Sequence, residues 1–302
     1  MFLLTNKMQS KLLYLSFLSG LTLLTCFSLA MAQPDTITVD VITTFDYPDP
    51  DFSIETVGQI SDRGEVVGGG TVEIREGTFT FLGFYRRPNG KFSPPLKGPS
   101  GHYAQAFGIN NSNVICGNYA NRYGSHGFLL SNGIYTTYDA PGSVATAIFG
   151  NNDVGDFVGG YAISGGGGVY HPFAYIGGTF IPIELVDNPA SVAGDINNFG
   201  EVVGSADGHM FLRDSDGTVT YPIDAPDQSY LYVYGINDSG MIVGGSNELG
   251  FVWKYPNTFV TFSVPGSTYT EAGGINNSGM ISGRYEDPDG SFHGFIAQVR
   301  AQ

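Results

Sequence analysis

Cysteine, tryptophan and basic residues are scarce in this chain. Its 302 residues include two cysteines and one tryptophan, and 13 lysines and arginines stand against 28 acidic residues, a net charge of −15. A disulfide framework is therefore excluded, and we expect Cys116, in the apolar stretch NVICGNY, to be a buried, unreactive thiol. The negative charge repels phosphate backbones and anionic lipid, so nucleic-acid binding is not expected.

Long apolar runs are absent except at the N-terminus. There LLYLSFLSGLTLLTCFSLA follows two lysines and precedes Ala-Met-Ala at positions 30–32. This order is typical of a secretory signal, and we predict a signal peptide over 1–32, cleaved after Ala32. An uncleaved anchor is one alternative. A lipoprotein attached at Cys26 is another, although Thr25 precedes it where a small residue is expected.

Cleavage would leave a single domain, residues 33–302, with a net charge of −17, because residues 1–32 contain two of the basic residues and none of the acidic ones. Export without disulfides is typical of a bacterial periplasmic, cell-envelope or secreted protein. No stretch after residue 33 has the periodicity of an amphipathic helix. The 44 glycines and the 40 tyrosines and phenylalanines instead favour many short strands joined by tight turns, and so an all-β fold.

One ten-residue pattern recurs six times, as in GINDSGMIVG (Gly235–Gly244) and GINNSGMISG (Gly274–Gly283). Its copies are spaced 39 to 49 residues apart, which is typical of propellers and stacked repeats. Each copy is followed by a Leu-Gly-Phe or His-x-Phe strand and, in most units, after a turn, by a third element such as YTTYDAPG. The last glycines of the six copies are Gly68, Gly117, Gly159, Gly204, Gly244 and Gly283.

These elements predict four strands per unit, a to d in chain order. Asn-Asn-Ser-Gly between a and b suits a short hairpin with a bulge, because Asn tolerates left-handed φ and Gly adopts it freely. Asn-Gly, Gly-Gly and Asp-Gly between c and d are strong hairpin signals. We therefore interpret the repeated corners as turns, and we favour strand a as the innermost strand.

The two ends of the chain complement each other. ITTFDYPD (Ile42–Asp49) resembles strand d of a later unit, YTTYDAPG (Tyr135–Gly142), and the last unit stops after its strand c. We therefore predict a six-bladed β-propeller of four-stranded antiparallel blades, in which the N-terminal strand completes the last blade and removes an exposed edge. An open array of six units is the alternative.

The ordered combination of GINNxGxIVG, HGF and TTYDxPG resembles the HAF-repeat family of bacterial extracellular proteins. The resemblance extends over residues 37 to 298, with LGF replacing HGF in units 1 and 5 and Gly-Asn-Asn replacing Gly-Ile-Asn in unit 3. It implies an exported repeat protein with a propeller-like fold. It implies no established reaction, and it supplies no catalytic residues.

Loop chemistry suggests where a ligand would bind. The tight a–b and c–d turns share one face, so the longer, variable b–c and d–a connections share the other, and loop faces of propellers commonly bind ligands. Aspartates at the ends of the d strands lie on that acidic face and are our candidate ligand-binding residues, although turn initiation is the simpler interpretation. They are Asp46, Asp139, Asp187 and Asp224.

Two Asp-x-Asp-Gly fragments resemble pieces of calcium loops but lack the remaining ligands and the distal glutamate. Asp214 and Asp216 form one fragment, and Asp287 and Asp289 form the other; plain turn chemistry is the alternative for both. Four histidines start the c strands of units 2, 3, 4 and 6, and we expect each to form hydrogen bonds within its own unit; they are His126, His171, His209 and His293.

The motifs GxSxG, HExxH and CxxC and the Walker loop are all absent. We therefore expect a monomeric, non-enzymatic binding or scaffolding propeller, whose extracellular ligand is a cation, a glycan or a protein. No cofactor is required, and calcium is an optional one. A calcium-dependent hydrolase and a glycan-binding lectin are the alternatives; the lectin would need repeated tyrosines, because Trp253 is the single tryptophan.

Overall fold

The computed structural model describes residues 37–101, 103–163, 169–187 and 190–301, so the signal-peptide prediction lies outside the described residues. This part of the chain is all-β apart from a three-residue 3-10 helix, Pro99–Gly101. Within it no helix has the length and apolar character needed to cross a bilayer. The all-β prediction is confirmed.

The strands form five hydrogen-bonded sheets, one of which has eight strands because a single parallel bridge between Ser125 and Ala145 joins two repeats. The repeated motif divides these sheets into six antiparallel units, numbered 1 to 6 in chain order. Unit 1 contains β2 (Phe52–Ile60), β3 (Val66–Arg75) and β4 (Thr78–Arg86). Unit 2 contains β5 (Tyr103–Ile109), β6 (Ile115–Asn121), β7 (Gly124–Ser131) and β8 (Ile134–Tyr138). Unit 3 contains β9 (Ala145–Asn151), β10 (Phe157–Ala162), β11 (His171–Ile176) and β12 (Thr179–Pro182).

Unit 4 contains β13 (Ser191–Ile196), β14 (Val202–Ala206), β15 (His209–Arg213) and β16 (Val219–Ile223). Unit 5 contains β17 (Leu231–Ile236), β18 (Met241–Ser246), β19 (Leu249–Lys254) and β20 (Thr258–Phe262). Unit 6 contains β21 (Tyr269–Ile275), β22 (Met280–Glu286) and β23 (Phe292–Ala301), together with β1 (Ile37–Phe45). Neighbouring strands in each unit pair in chain order, as the turn chemistry predicts.

Unit 1 differs from the prediction of four strands. The segment expected to form its strand d contributes only two isolated bridges to β4, between Leu96 and Gly83 and between Phe92 and Arg86. Pro94 and Pro95 lie between these bridges, and proline has no N–H to donate to a ladder. Hydrogen bonding to β4 is therefore interrupted in the middle of the outer edge of unit 1.

Unit 6 obtains its fourth strand from the N-terminal side of the chain. β1 pairs antiparallel with β23 from Ile37–Ala301 to Phe45–Gly294, with a register shift between Val41 and Thr43. In every four-stranded unit the fourth strand is thus an outer edge strand. The prediction that ITTFDYPD acts as a strand d is confirmed for its strand portion.

The first strands of consecutive units contact one another, and β21 of unit 6 contacts β2 of unit 1. The approach is close: a Cβ at Gly194 would lie 2.4 Å from the Val233 carbonyl oxygen, and one at Gly273 would lie 1.7 Å from that of Val57. The first strand is therefore the innermost one, as the small Ala-Gly-Ile segments suggest, and the later strands lie progressively further out.

Each unit buries one phenylalanine completely, the phenylalanine of the LGF or His-x-Phe motif. It pairs across the ladder with the last glycine of the repeated motif, as Phe211 does with Gly204. A Cβ at that glycine would lie 2.5 Å from the ring, so glycine leaves the space that the ring fills. The six phenylalanines are Phe84, Phe128, Phe173, Phe211, Phe251 and Phe295.

In units 2 to 6 the first asparagine of the a–b corner closes the turn by accepting backbone N–H groups at its Oδ1. In unit 5 Asn237 Oδ1 accepts N–H groups from Ser239 and Met241, at 3.1 and 3.0 Å. The turn closes with a left-handed residue, Gly240 at φ 73° and, in unit 2, Asn113 at φ 59°. These geometries confirm the interpretation of the corners as turns.

The second corner residue connects neighbouring units. The backbone N–H of each donates to the side-chain Oδ1 of the next at 2.7 to 2.9 Å, and the last bond returns from unit 6 to unit 1. We name these six residues the turn ring. In order they are Asp62, Asn111, Asp153, Asn198, Asp238 and Asn277.

Candidate functional site

Strand pairing places two different surfaces at opposite ends of the units. Val66 at the start of β3 pairs with both Ile60 and Arg86, so the a–b and c–d turns share one end, the turn face. Phe52 pairs with Val72, so the b–c and d–a connections share the other end, the loop face. This division agrees with the sequence prediction.

A depression of about 250 Å³ lies among the first strands, on the loop-face side of the turn ring. We name it the central mouth. Its polar wall contains Glu271 and Arg284, and Phe107, Phe149 and Tyr234 contribute aromatic rings. The rings of Phe107 and Phe149 lie 5.0 Å apart, and both are partly exposed. The central mouth therefore combines a stacking surface with charged groups.

Glu271 is buried and held by two partners. Arg284 Nε donates to Glu271 Oε1 at 2.9 Å, and Tyr269 Oη donates to Oε2 at 2.5 Å. The guanidinium also donates to the Glu55 carbonyl oxygen and stacks 4.7 Å from the Phe292 ring centroid. A charge-assisted pair with these additional contacts keeps its geometry, because neither side chain can rotate without losing several partners.

The two phenols beside Glu271 resist ionisation. Burial raises the pKa of Tyr234, and the nearby Glu271 carboxylate raises it further. Burial and Glu271 raise the pKa of Tyr269 in the same way. Burial lowers the pKa of Arg284, but the Glu271 charge outweighs it, and the net shift is upward. At neutral pH the site therefore presents phenolic hydroxyls and a fixed ion pair.

Sequence reasoning missed the central mouth, because its residues lie where the units differ. Phe107, Phe149 and Tyr234 precede the Gly-Ile or Gly-Asn pair of the first strand, and three other units have glycine there, as in Gly194 and Gly273. The available signal was one repeat position with an aromatic residue in three units and glycine in the other three. The glycines leave space on the inside of the units, and the aromatic rings project into that space.

The predicted ligand-binding aspartates lie on the loop face, apart from one another on the outer strands. Three of them contact a c-strand histidine: Asp46 contacts His293 at 2.5 Å, Asp139 contacts His126 at 2.9 Å and Asp224 contacts His209 at 2.6 Å. Asp187 lies in a turn after β12 with φ 64°. None of the four lines the central mouth.

These contacts confirm the expected role of His126 and His209, which bond within their own units. His293 bonds to the residue that follows β1, the strand paired with its own strand. The pairs join strands c and d at the loop face. Because they are partly exposed, we expect each to contribute at most about 1 kcal/mol.

The predicted calcium residues form turns. Asp216 Oδ1 accepts the Thr218 N–H at 2.8 Å, which lowers the pKa of this aspartate, and Asp289 Oδ1 accepts the Ser291 N–H at 2.9 Å, with the same effect. The described residues contain no group of three or more His, Cys, Asp or Glu side chains that could hold a metal ion. The calcium site at these residues stays a prediction.

Cys116 is completely buried, as predicted, and burial raises the pKa of its thiol. Its Sγ packs against Gly108 of the neighbouring strand, where a Cβ would lie 2.5 Å away. Because the thiolate is the nucleophilic form, this site keeps the cysteine unreactive.

No family model and no curated protein sequence matches this chain. Among solved structures, the fold is similar to virginiamycin B lyase from Staphylococcus aureus in complex with quinupristin, with a TM-score of 0.51 and 10% identity over 86% of this chain and 99% of the lyase. It is also similar to a putative gluconolactonase, with a TM-score of 0.53 and 12% identity over 87% of this chain and 99% of that protein. At this identity the likeness shows a propeller-like fold alone.

Proposed function

We propose that the chain is a closed six-bladed β-propeller. Three observations support closure: β1 pairs with β23, β21 contacts β2, and the corner hydrogen bonds return from Asn277 to Asp62 at 2.8 Å. An open array would leave the first and last units without these partners. We further propose, from the sequence alone, that it is an exported protein of the HAF-repeat type, whose ligand is extracellular.

We propose that the central mouth binds a small organic molecule that carries both an apolar ring and a hydrogen-bonding group. The observation that carries this proposal is the fixed Glu271–Arg284 pair beside the partly exposed rings of Phe107 and Phe149. Aromatic faces supply apolar and stacking contacts, while a few positioned polar groups determine orientation. A volume of about 250 Å³ suits a ligand smaller than a typical drug.

Thermal unfolding in the presence of a library of small aromatic acids, amines and sugars tests this proposal, because a ligand that binds only the folded state raises the midpoint. Phe107→Ala should weaken a hit at least about tenfold by removing one stacking face. Phe199→Ala is the matched control, since Phe199 is 65% exposed in a corner of the turn face. Equal loss of affinity in both variants would mean that the ligand does not bind in the central mouth.

An enzyme is the second candidate, favoured by the Glu271 carboxylate between a phenol and a guanidinium and by the names of the two similar structures, a lyase and a putative gluconolactonase. We propose Glu271 as the residue that carries this activity. Mass spectrometry of the protein incubated with gluconolactone or quinupristin tests it. Turnover that Glu271→Gln abolishes would support catalysis, and equal turnover in this variant would refute a catalytic Glu271.

A further inference from the structure

The loop face has a second depression, of about 470 Å³, beside the first strands of units 4 and 5. We name it the tyrosine groove, because Tyr170 of unit 3 and Tyr230 and Tyr232 of unit 5 line it. In unit 4 the connection between β14 and β15 consists of Asp207 and Gly208 alone, and both residues also line the groove. Small-molecule sites typically have volumes of about 300 to 1,000 Å³, so the groove has room for a ligand.

Backbone hydrogen bonds fasten both walls of the groove to unit 4. The Ser191 N–H donates to the Tyr170 carbonyl oxygen at 2.9 Å, and the Leu231 N–H donates to the Gly208 carbonyl oxygen at 2.8 Å. Each bond crosses a boundary between units and fixes the backbone at or next to a tyrosine of the groove. The walls are therefore in place before a ligand binds, which lowers the entropic cost of binding.

The two tyrosines of unit 5 present their rings on the same side of the chain. Side chains alternate along a strand, and Leu231 between them is completely buried, whereas Tyr230 is 49% exposed and Tyr232 is 48% exposed. The two ring centroids lie 5.1 Å apart, with an angle of 48° between the ring planes. Gly208 makes room for this pair, because a Cβ there would lie 2.2 Å from the Tyr230 ring. The groove therefore contains a fixed aromatic surface that is about half open to solvent.

Hydrogen-bonding groups without partners lie beside these rings. Within the part of the chain that the structure describes, the hydroxyls of Tyr230 and Tyr232 form no hydrogen bond, and the Asp207 carboxylate forms neither a hydrogen bond nor an ion pair. Burial raises the pKa of Tyr230, and Tyr232 and Asp207 raise it further, so this phenol stays protonated and can donate. The groove thus offers donors and an acceptor at the edge of an apolar surface.

The ring geometry distinguishes between classes of ligand. Aromatic faces bind a quaternary ammonium ion by surrounding it, but the rings of Tyr230 and Tyr232 contact each other and cannot enclose a cation. Anionic ligands are repelled by Asp207 and by the net charge of −15. A neutral saccharide fits both features of the groove, because the C–H face of a pyranose ring packs on an aromatic ring while its hydroxyls bond to carboxylate and phenol groups. We propose that the tyrosine groove binds a neutral saccharide, with one pyranose ring packed on Tyr230 and Tyr232 and its hydroxyls bonded to Asp207.

The groove continues into the central mouth, since Phe149 and Val192 line both depressions. Tyr234, in the central mouth, continues the series of alternate tyrosines along β17 that begins with Tyr230 and Tyr232. An aromatic surface thus extends from the loop face toward the centre of the units, which favours an oligosaccharide over a single sugar. The saccharide site depends on the residues of the groove, and it stands whether or not the central mouth binds a ligand of its own.

Isothermal titration calorimetry of the full chain tests the site with three neutral oligosaccharides that differ in linkage or substituent: cellohexaose, maltohexaose and N-acetylchitohexaose. At least one of them should bind with a millimolar or lower dissociation constant. Choline chloride and the polyanion polygalacturonate should not bind. Absence of binding by all three oligosaccharides would overturn the proposal, and so would binding of choline or polygalacturonate without any of the three.

Variants then locate the bound oligosaccharide. Tyr232→Ala should weaken its binding about tenfold by removing one packing face, whereas Tyr232→Phe keeps the ring and should change the affinity less than about threefold. Tyr103→Ala is the matched control, since Tyr103 is also 48% exposed and begins β5, outside the groove. Equal loss of affinity in Tyr103→Ala and Tyr232→Ala would refute the site. If Tyr232→Ala fails to fold, NMR spectra of the unmodified protein decide: the ring signals of Tyr230 and Tyr232 should shift when the oligosaccharide is added, and unshifted signals would overturn the proposal.

Discussion

At the scale of single residues, the inner side of the first strands contains a polar connection between distant units. The position before the corner Ile or Asn is glycine in four units but Gln59 in unit 1 and Asp195 in unit 4. Gln59 Nε2 donates to Asp195 Oδ1, and Asp195 Oδ2 accepts the Ile236 N–H at 3.0 Å. Gln59 Oε1 in turn accepts the Ile109 N–H at 3.0 Å. The side chains of Gln59 and Asp195 thus connect units 1, 2, 4 and 5.

Burial raises the pKa of Asp195 to about 7, despite lowering contributions from the Ile236, Ile196 and Gln59 donors. A carboxyl group whose pKa is higher in the folded than in the unfolded state stabilises the fold below the unfolded pKa, about 3.9, and loses that stabilisation as the pH rises through the folded pKa. The contribution of Asp195 should therefore fall between about pH 4 and pH 7 and stay constant above pH 8.

Urea denaturation of the unmodified protein and of Asp195→Asn from pH 4.5 to 8.5 measures this pH-dependent contribution to the free energy of unfolding. The difference between their free energies of unfolding should fall by up to about 1.4 kcal/mol per pH unit within that window. Asp216→Asn is the control, because hydrogen bonds from Thr218 lower the pKa of Asp216 and its difference should be constant above pH 5. A constant difference for Asp195→Asn as well would show that this carboxyl ionises normally.

At the scale of the strand, each unit depends on the fit between a glycine of strand b and the buried phenylalanine of strand c. In unit 4 a methyl group at Gly204 would lie 2.2 Å from the Val192 carbonyl oxygen and 2.5 Å from two carbons of the Phe211 ring. Neither neighbour is the free end of a flexible side chain. The glycine is thus required by packing in a strand with ordinary extended φ.

Gly204→Ala should lower the free energy of unfolding by about 1 to 3 kcal/mol or more, because the methyl group overfills a packed core. Chemical denaturation monitored by circular dichroism measures the loss. Ser205→Ala, at the next position of β14, is the matched control and should change the stability by less than about 1 kcal/mol. An unchanged midpoint for Gly204→Ala would mean that β14 can move away from Phe211.

The same strands show what could be predicted from the sequence. Corner chemistry, strand order and the burial of Cys116 follow from local rules, because each depends on residues close in the chain. The lateral bonds of Asp62 or Asn277 could not be predicted in this way, since they depend on how far one unit is staggered against the next. The central mouth was missed because a repeat alignment emphasises positions that agree, whereas Phe107 and Glu271 occupy positions that differ between units.

At the scale of the whole molecule, β1 brings the two ends of the described chain together. It contributes an aromatic side chain to the boundary between units 6 and 1: Phe45 is buried, its ring lies 6.4 Å from that of Phe84 and 6.0 Å from that of Phe92, and Arg86 stacks over it at 4.7 Å. Its ring also fills the space beside Gly294 on β23. One residue of β1 therefore packs on both units at once.

Phe45→Ala should lower the free energy of unfolding by about 3 to 5 kcal/mol, the usual cost of emptying a buried phenylalanine site, because the cavity would open between the first and last units. Ile42→Ala on the same strand is the matched control: Ile42 is 57% exposed, and its truncation should cost less than about 0.5 kcal/mol.

Hydrogen exchange adds a local measurement. If β1 closes the ring, Phe45→Ala should accelerate exchange at β23 and at the β2–β21 contact more than in unit 3. Uniform acceleration in all units would contradict closure by β1, and so would equal stability of the two variants.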